Sequence, residues 1–366
     1  MLLKFSSVYN IMKNQMGQQR IQINMLLAES GIQCGRYSLS ADESGCVMHM
    51  GISGKGEEAM AAVLLRAFSF FLIILAGILL RKSGFLPEQA GDTAKKLVIY
   101  VTLPCAIILN FSRTQEVSPL MLLITLMGLL SNIFMLTAGV LLTRRRDRRD
   151  RVLYMFCMPA FNIGAFCLPF VQSFLPAEGT VSACMFDVGN SLMCTGGTYA
   201  FVDSFFSDRG KGFDIRGFFR RLLSSPPILA YVGMFLLMIL KLRLPEAVLT
   251  LIEPAAVSNT FLAMLMIGLL FHLELKKEYL KDILRIVAYR QIFGVLLAFV
   301  SYFALPFDLV IRQTLVLIAF APISAVGPAF TGMCGGDAGK ASAANSITIL
   351  LSILEVTVLL LLLGLG

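Results

Sequence analysis

Long apolar runs follow one another along the chain from Met60 to its end. A helix needs about 20 mostly apolar residues to cross the hydrocarbon core of a bilayer, and ten runs have about that length. The predicted spans cover residues 61–80, 94–112, 119–142, 152–174, 180–204, 225–241, 249–272, 283–304, 313–333 and 341–363. The pattern therefore predicts an all-α integral membrane protein with ten transmembrane helices.

Residues 1–59 differ from the rest of the chain. They are polar and mixed in charge, and they contain no apolar run that could span a bilayer or form a convincing signal peptide. Two interpretations stay open: this polar N-terminal extension is disordered, or it is a mis-assigned start and translation begins at Met60. The second rests on Gly56-Glu57-Glu58, which a purine-rich ribosome-binding site would encode if it were translated.

Basic residues alternate from loop to loop between the predicted spans. Twenty lysine and arginine residues lie in the first, third, fifth, seventh and ninth loops or at the adjoining span ends, and only four lie in or beside the other loops. Lysine and arginine accumulate on the cytoplasmic side of membrane proteins. The distribution predicts a multi-pass protein of the inner cell membrane whose spanning region begins and ends outside the cytoplasm.

The ten predicted spans divide evenly around a basic cytoplasmic loop at 205–224, which gives a first five-helix repeat at 60–204 and a second at 225–366. An odd number of spans in each half inverts the second half relative to the first, as in many secondary transporters. Similar short patterns recur at corresponding places, in Leu86-Pro87-Glu88 and Leu244-Pro245-Glu246, and in Gly189-Asn190-Ser191 and Ala344-Asn345-Ser346.

Helix-breaking residues interrupt spans four and nine, at 159–169 and 321–329. Because proline lacks a backbone donor and clashes with the preceding turn, each span is expected to unwind near its middle. Freed backbone groups must be buried in protein or line a cavity, and paired breaks mark substrate sites in transporters, where half-helix N-termini favour anions. The alternative is that these residues only kink packed helices.

The predicted substrate site draws on both breaks and on span ten. Span ten adds amide and hydroxyl groups, with Thr348 close to them in sequence. The candidate substrate-binding residues are Asn162, Gly164, Pro169, Pro322, Ser324, Pro328, Asn345 and Ser346.

A carboxylate lies inside predicted span five. Asp187 precedes Asn190 by three residues and Ser191 by four, so the three side chains share one helix face. A carboxylate at the bilayer centre costs about 2.5–3.5 kcal/mol on insertion scales, so Asp187 is expected to point inward. These residues are the candidate coupling-ion site, for a proton or sodium. The alternative is that Asp187 is solvated near the outer surface.

Other polar residues in the spans receive lesser roles. Glu355 is either a second titrating group or a partner of Arg290 in span eight. Asn110 and Asn132 are expected to form hydrogen bonds between helices.

Composition agrees with a membrane protein: 57% of residues are apolar, 15% are charged, and the mean hydropathy is +0.78. A net charge of +8 would suggest nucleic acid in a soluble protein, but here the basic residues are topology signals and no nucleic acid is expected. Eight cysteines without a CxxC pair and two distant histidines predict no disulfide framework and no metal site. No cofactor is expected, because no nucleotide-binding GxxxxGK[ST] motif is present.

Several segments together resemble the auxin efflux carrier family of permeases. They are Tyr100-Val101-Thr102-Leu103-Pro104, the break from Asn162 to Pro169, Ser225-Pro226-Pro227, Ala321-Pro322 and Asn345-Ser346. The resemblance covers residues 60–366. It implies two broken helices that cross at their prolines, as in the bile-acid sodium symporters, transport of small organic anions, and a homodimer. In bacterial members the substrates are typically dicarboxylates such as malonate or malate.

The family pattern places Asn162 and Pro169 at the first crossover, Pro322 at the second and Pro104 in a supporting span. The chain departs from it at the second break, where Pro328 is additional and Ser324 and Ala325 stand where an asparagine is expected. Substrate choice is the property that this departure leaves open.

The leading hypothesis is a secondary transporter for a small organic anion that works by alternating access. The alternative in the same class is a cation-coupled, bile-acid-type symporter or exchanger. The alternatives in a different class are an integral-membrane enzyme or a sensor. The absence of HExxH, of a paired aspartate motif and of a histidine-containing nucleophile motif argues against an enzyme.

Overall fold

The computed structural model describes the backbone of residues 38–42, 45–49, 54–113, 121–206, 214–272 and 276–365, and the side chains from residue 61 onward. The chain divides into two compact units, Met1–Ala62 and Val63–Gly366. The first unit contains an antiparallel hairpin of β1 (Ser38–Asp42) and β2 (Gly45–His49). Residues 1–37 of the expected polar extension lie outside the described residues, so both interpretations of the extension stay predictions.

From residue 54 onward the described regular elements are helices, as the apolar runs predict. They are α1 (Gly54–Lys82), α2 (Ala90–Leu97), α3 (Leu103–Ser112), α4 (Met121–Leu142), α5 (Arg148–Cys157), α6 (Leu168–Phe174), α7 (Ala177–Leu192), α8 (Thr198–Phe205), α9 (Ile215–Leu223), α10 (Pro226–Ile239), α11 (Glu246–Leu270), α12 (Lys277–Phe303), α13 (Leu309–Ala319), α14 (Gly327–Met333) and α15 (Ala338–Leu362). Three π-helical turns, at Val98–Thr102, Ile163–Cys167 and Met193–Gly197, join α2 to α3, lead into α6, and join α7 to α8.

Six of the described helical stretches are long and apolar enough to cross a membrane, and the pair α9 and α10, bent by 78°, is a seventh candidate. Their outer faces carry strongly exposed aliphatic side chains, such as Leu251 at 80%, Leu65 at 69% and Ile292 at 68%. A soluble monomer rarely exposes contiguous apolar surface of this kind, whereas lipid solvates it. The chain is therefore a multi-pass membrane protein.

Two of the π turns are explained by proline. A proline cannot donate to the carbonyl group four residues before it, which leaves Tyr100 without the amide of Pro104 and Ala165 without that of Pro169. Both carbonyl groups lie inside π turns, where the wider helix changes the hydrogen-bonding pattern. Pro104 and Pro169 therefore widen their helices and do not end them.

The helices are interrupted within both predicted regions. Residues 158–162 separate α5 from the helical stretch Ile163–Phe174, and residues 320–326 separate α13 from α14. The two interruptions lie side by side, because Phe161 and Ile323 form an isolated antiparallel bridge. We call these segments the first and the second break.

Backbone hydrogen bonds join the two breaks. The amide of Asn162 donates to the carbonyl oxygen of Pro322 at 3.0 Å, and the amide of Ser324 donates to that of Ala160 at 3.2 Å. Unpaired backbone groups cost several kcal/mol in hydrocarbon, so each break supplies partners that the other one needs. This long-range pairing makes the breaks a single structural feature.

The sequence predicts a loop at the basic segment 205–224, but part of this segment is helical. It contains α9, which begins where the Asp214 carboxylate accepts from the amide of Gly217 at 2.8 Å. Ile215, Phe219 and Leu223 are exposed at four-residue intervals along one side of this helix. A span search overlooks such a helix because nine residues cannot cross a bilayer.

Close contact between α4 and α7 depends on two glycines. A Cβ atom on Gly189 would lie 1.9 Å from the carbonyl oxygen of Thr125, and one on Gly128 would lie 2.2 Å from that of Phe186. Small residues let membrane helices approach closely in this way. One turn or less from this contact, Asn132 and Asn190 come within hydrogen-bonding distance.

We expect Gly189→Ala to destabilise the protein, because the added methyl group meets backbone atoms that cannot rotate away. Overpacking typically costs about 1–3 kcal/mol, so the melting temperature of the purified protein in detergent should fall. Gly233→Ala is the matched control, since nothing lies within 4 Å of a Cβ there and helical alanine is preferred by about 0.5–1 kcal/mol. Equal melting temperatures for the two variants would contradict the packing argument.

Candidate functional site

Two asparagine side chains fix the first break. The Asn132 amide oxygen accepts from the backbone amide of Ala160 at 2.7 Å. The Asn190 side chain accepts from the amide of Phe161 at 3.0 Å and donates to its carbonyl oxygen at 2.8 Å. Asn132 also donates to Asn190 at 3.2 Å, which confirms its predicted role between helices. Both amides therefore replace the helical hydrogen bonds that the break removes.

Ala160 has a left-handed backbone conformation, with φ of 64°. A non-glycine residue rarely adopts this conformation unless its surroundings impose it, and such residues cluster at functional sites. Here the imposed contacts are the hydrogen bonds to Asn132 and to the amide of Ser324.

Arg290 on α12 binds the carbonyl ends of both breaks. One terminal nitrogen donates to the carbonyl oxygens of Met158 at 2.6 Å and Pro159 at 3.2 Å, and the other donates to that of Ala321 at 2.8 Å. The guanidinium also lies 5.0 Å from the centre of the Phe161 ring. A cation near the end of a helix stabilises its free carbonyl groups, and Arg290 does so for α5 and α13 together.

Glu355 and Arg290 interact electrostatically but do not form the ion pair that was one of the two roles expected for Glu355. The guanidinium bonds to carbonyl oxygens, and among the described residues no ion pair joins it to Glu355. The Glu355 side chain interacts instead with Gln291, and its Oε2 atom is buried without a hydrogen-bond partner. Arg290 is thus bound mainly to the backbone.

Asp187 is buried, with 5% of its surface exposed. Its Oδ2 atom accepts from the Tyr231 hydroxyl group at 2.8 Å, and its Oδ1 atom accepts from the Asn190 amide at 2.8 Å. Ser191 also interacts with the carboxylate. Within the described part of the chain no lysine or arginine lies within ion-pair distance of it, so Asp187 is neither solvated nor charge-paired here.

Gly164 connects Asp187 to the first break. A Cβ atom on Gly164 would lie 3.4 Å from Asp187 Oδ2 and 2.8 Å from a methyl group of Leu103. The predicted coupling residues and the predicted substrate residues of the first half are therefore adjacent in space. The sequence pattern alone placed them on different spans.

Asn162 and Asn345 each have a buried amide atom without a hydrogen-bond partner. The Asn162 residue is 6% exposed and its Nδ2 atom is unpaired, and Asn345 is 8% exposed with Oδ1 unpaired. Buried polar groups in folded proteins nearly always have a hydrogen-bond partner. Among the predicted site residues, these two amide atoms have hydrogen-bonding capacity left for a ligand.

The other predicted site residues fall into two groups. Pro322 and Ser324 lie in the second break, where Ser324 Oγ accepts from the Cys194 thiol at 3.0 Å, and Pro328 follows in the first turn of α14. Ser346 binds to a different segment: its hydroxyl group both accepts from the His272 amide and donates to the His272 carbonyl oxygen, each at 3.0 Å. That side chain anchors the chain just after α11.

A match to a family model shows which protein family the chain belongs to. A family model described as membrane transport protein matches residues 62–360, which is most of the chain. The chain belongs to that family. The auxin efflux carriers are the same family, so the resemblance expected from Pro104, Asn162 and Pro322 is confirmed. A comparison with curated proteins found no match.

Other residues of this membrane transport protein contact Asp187 or the breaks, although the sequence pattern gave them no leading role. Tyr231 holds Asp187, and the Thr348 hydroxyl group accepts from the amide of Ile323 in the second break at 3.2 Å. The Lys95 ammonium group donates to the carbonyl oxygen of Ala325 in the same break at 3.2 Å. The position of Arg290 could have indicated its importance, because a charged residue within an apolar run is rarely without a role.

A separate polar cluster in the transporter centres on Asp282. Its carboxylate accepts from Arg146 at 2.6 Å, Lys340 at 2.9 Å and the Tyr154 hydroxyl group at 3.1 Å. The neighbouring cavity of about 350 Å³ is lined by Arg149, Asp150, Glu278, Tyr279, Asp337 and Lys340. These contacts tie together the starts of α5, α12 and α15, and they include none of the predicted site residues.

Arg290→Ala is expected to lower the melting temperature strongly. The change leaves the carbonyl oxygens of Met158, Pro159 and Ala321 without the guanidinium, and a buried group that loses its partner costs about 1–3 kcal/mol. Thermal unfolding in detergent measures the effect. Arg113→Ala is the control, because its ion pair with Glu253 is exposed and worth about 0–1 kcal/mol. If the melting temperature falls no further in Arg290→Ala than in Arg113→Ala, the three hydrogen bonds of Arg290 do not stabilise the breaks.

Proposed function

We propose that this membrane transport protein is a secondary transporter, a permease that moves a small organic anion across the inner cell membrane by alternating access. The observation that carries the proposal is the unpaired amide nitrogen of Asn162, buried where the two breaks meet. An unsatisfied buried donor destabilises a core, but it is useful where a ligand supplies the acceptor. A carboxylate is an acceptor of that kind.

Local electrostatics favour an anion over a cation beside Asn162. Arg290 neutralises the carbonyl ends of α5 and α13, which would otherwise repel an anion. The stretch Ile163–Phe174 begins directly after Asn162, so its free amide groups and its positive dipole end lie next to the same side chain. These groups favour negative charge, and the nearby Asp187 carboxylate opposes it unless that carboxylate binds a proton or a cation.

The architecture that we propose is ten transmembrane helices in two inverted five-helix repeats. The six long stretches and the bent pair α9 and α10 account for seven spans. The other three would be α5 with Ile163–Phe174, α7 with α8, and α13 with α14. Breaks then fall in the fourth and ninth spans, and the alternating basic loops set both ends of the spanning region outside.

The proposed substrates are short dicarboxylates such as malonate or malate. This choice rests on the resemblance to bacterial auxin efflux carriers and not on the geometry of the breaks. The geometry supports only the broader class, a small anion that accepts hydrogen bonds.

Asp187 is the proposed coupling residue, with Asn190 and Ser191 beside it. A buried carboxylate without a neighbouring cation is expensive as an anion, so binding a proton or sodium ion would relieve the cost. The carboxylate lies beside Gly164, and it shares Asn190 with the first break, so its state can affect the break. This observation also favours the alternative of a cation-coupled, bile-acid-type symporter or exchanger, which differs in needing sodium.

We expect Asn162→Ala to abolish most substrate flux in proteoliposomes while leaving stability unchanged or slightly raised. The reason is that the amide nitrogen has no partner to lose and the backbone bonds to Pro322 remain. Uptake of radiolabelled malonate and malate measures flux. Asn110→Ala is the control, because its amide donates within its own helix, to Ala106 at 2.7 Å.

Loss of stability without loss of flux in Asn162→Ala would assign that residue to the fold and remove it from the site. Flux that is absent already in the wild type, for every carboxylate tried, would favour the sensor or enzyme alternative.

Asp187→Asn is expected to uncouple transport from its driving ion. The variant cannot bind or release a proton or bind a sodium ion as a carboxylate, so accumulation driven by an imposed pH or sodium gradient should disappear. Exchange of substrate down its own gradient should be less affected. Asp203→Asn, an exposed carboxylate on α8, is the control. Accumulation equal to the wild type in Asp187→Asn would place coupling elsewhere.

A further inference from the structure

Lys95 lies in α2 and reaches the second break. Its ammonium group donates to the carbonyl oxygen of Ala325 at 3.2 Å, and the side chain is partly buried. The next residue, Lys96, is exposed. Two adjacent lysines that the sequence assigns equally to a cytoplasmic loop thus have different surroundings, and only Lys95 touches the break.

The positive charge of Lys95 is balanced only in part. Asp92, three residues before it and exposed, interacts with it electrostatically, but among the described residues no carboxylate lies within ion-pair distance of its ammonium group. An ammonium group has three donors, and one carbonyl oxygen occupies one of them. A partly desolvated cation with free donors is stabilised strongly by an incoming anion.

Two further polar side chains lie near Lys95 or near the residue that it contacts. Cys194 lies close enough to Lys95 to interact with it electrostatically, and its thiol donates to Ser324 Oγ at 3.0 Å. Ser324 and Ala325 are consecutive residues of the second break, so Cys194 and Lys95 bind to neighbouring residues of that break.

Asn162 also contacts the second break. Its backbone amide donates to the carbonyl oxygen of Pro322, three residues before Ala325. Three residues span at most about 11 Å even when fully extended, so the backbone contact of Asn162 and the contact of Lys95 lie on one short stretch of chain. A charged donor and a neutral donor are therefore available beside the same break.

We propose that Lys95 binds a carboxylate group of the transported anion and provides the charge that makes the site select anions over neutral analogues. The inference rests on the proposed transport function and adds to it a specific countercharge. Asn162 then binds a second polar group of the same ligand, and Lys96 takes no part.

The test compares ligand binding to the purified full-length protein, by thermal shift and by titration, for malonate, succinate, propionate and the neutral analogue malonamide. The variants are Lys95→Gln, Lys95→Arg and the matched control Lys96→Gln. Glutamine removes the charge and retains an N–H donor on a side chain one atom shorter. The melting temperature without ligand reports whether each variant folds.

We expect malonate to stabilise the wild type and Lys96→Gln equally, and malonamide to stabilise neither. Lys95→Gln should weaken malonate binding at least tenfold, which corresponds to about 1.4 kcal/mol, and Lys95→Arg should keep most of the affinity. Should Lys95→Gln fold poorly, equal binding of malonate and malonamide to the wild type would still overturn the proposal.

Different results would contradict the role of Lys95 and the proposed transport function. Carboxylate binding to Lys95→Gln at wild-type affinity would overturn the role of Lys95 and leave the transporter proposal standing. A wild type that none of the carboxylates stabilises, and that takes up none of them into vesicles, would overturn both.

Discussion

Every backbone amide and carbonyl group inside a bilayer needs a partner within the protein, and two interrupted helices create many groups that lack one. The chain meets this requirement by placing the breaks side by side, so that Asn162 pairs with Pro322 and Ser324 pairs with Ala160. Asn132 and Asn190 add side-chain partners to the first break, and Thr348 adds one to the second. Much of the buried polar chemistry in the spanning region serves this one requirement.

Three polar groups near the breaks are compensated only in part. The side-chain amide nitrogen of Asn162 has no hydrogen-bond partner, the Asp187 carboxylate has hydrogen bonds but no cation within ion-pair distance among the described residues, and the Lys95 ammonium group has a carbonyl oxygen but no carboxylate at that distance. Each arrangement costs stability in a purely structural core. Under the proposed function, a solute or a coupling ion would supply the missing partner.

Local sequence signals predicted much of this arrangement. Apolar runs placed the long helices, and proline and glycine placed the interruptions at 159–169 and 321–329. Signals of that kind cannot report pairing between distant segments, so the bridge from Phe161 to Ile323 and the contacts of Tyr231 with Asp187 were not foreseen. The amphipathic helix α9 was missed because it is short, and Ser346 was assigned to substrate although its hydroxyl group is taken by His272.

The guanidinium of Arg290 has a mechanical consequence. It bonds at once to Met158 in the first half of the chain and Ala321 in the second, while α12 carries it. Any rearrangement that moved these two carbonyl groups apart would break its hydrogen bonds in a medium that offers no replacement. These hydrogen bonds therefore oppose any separation of the two breaks from each other or from α12.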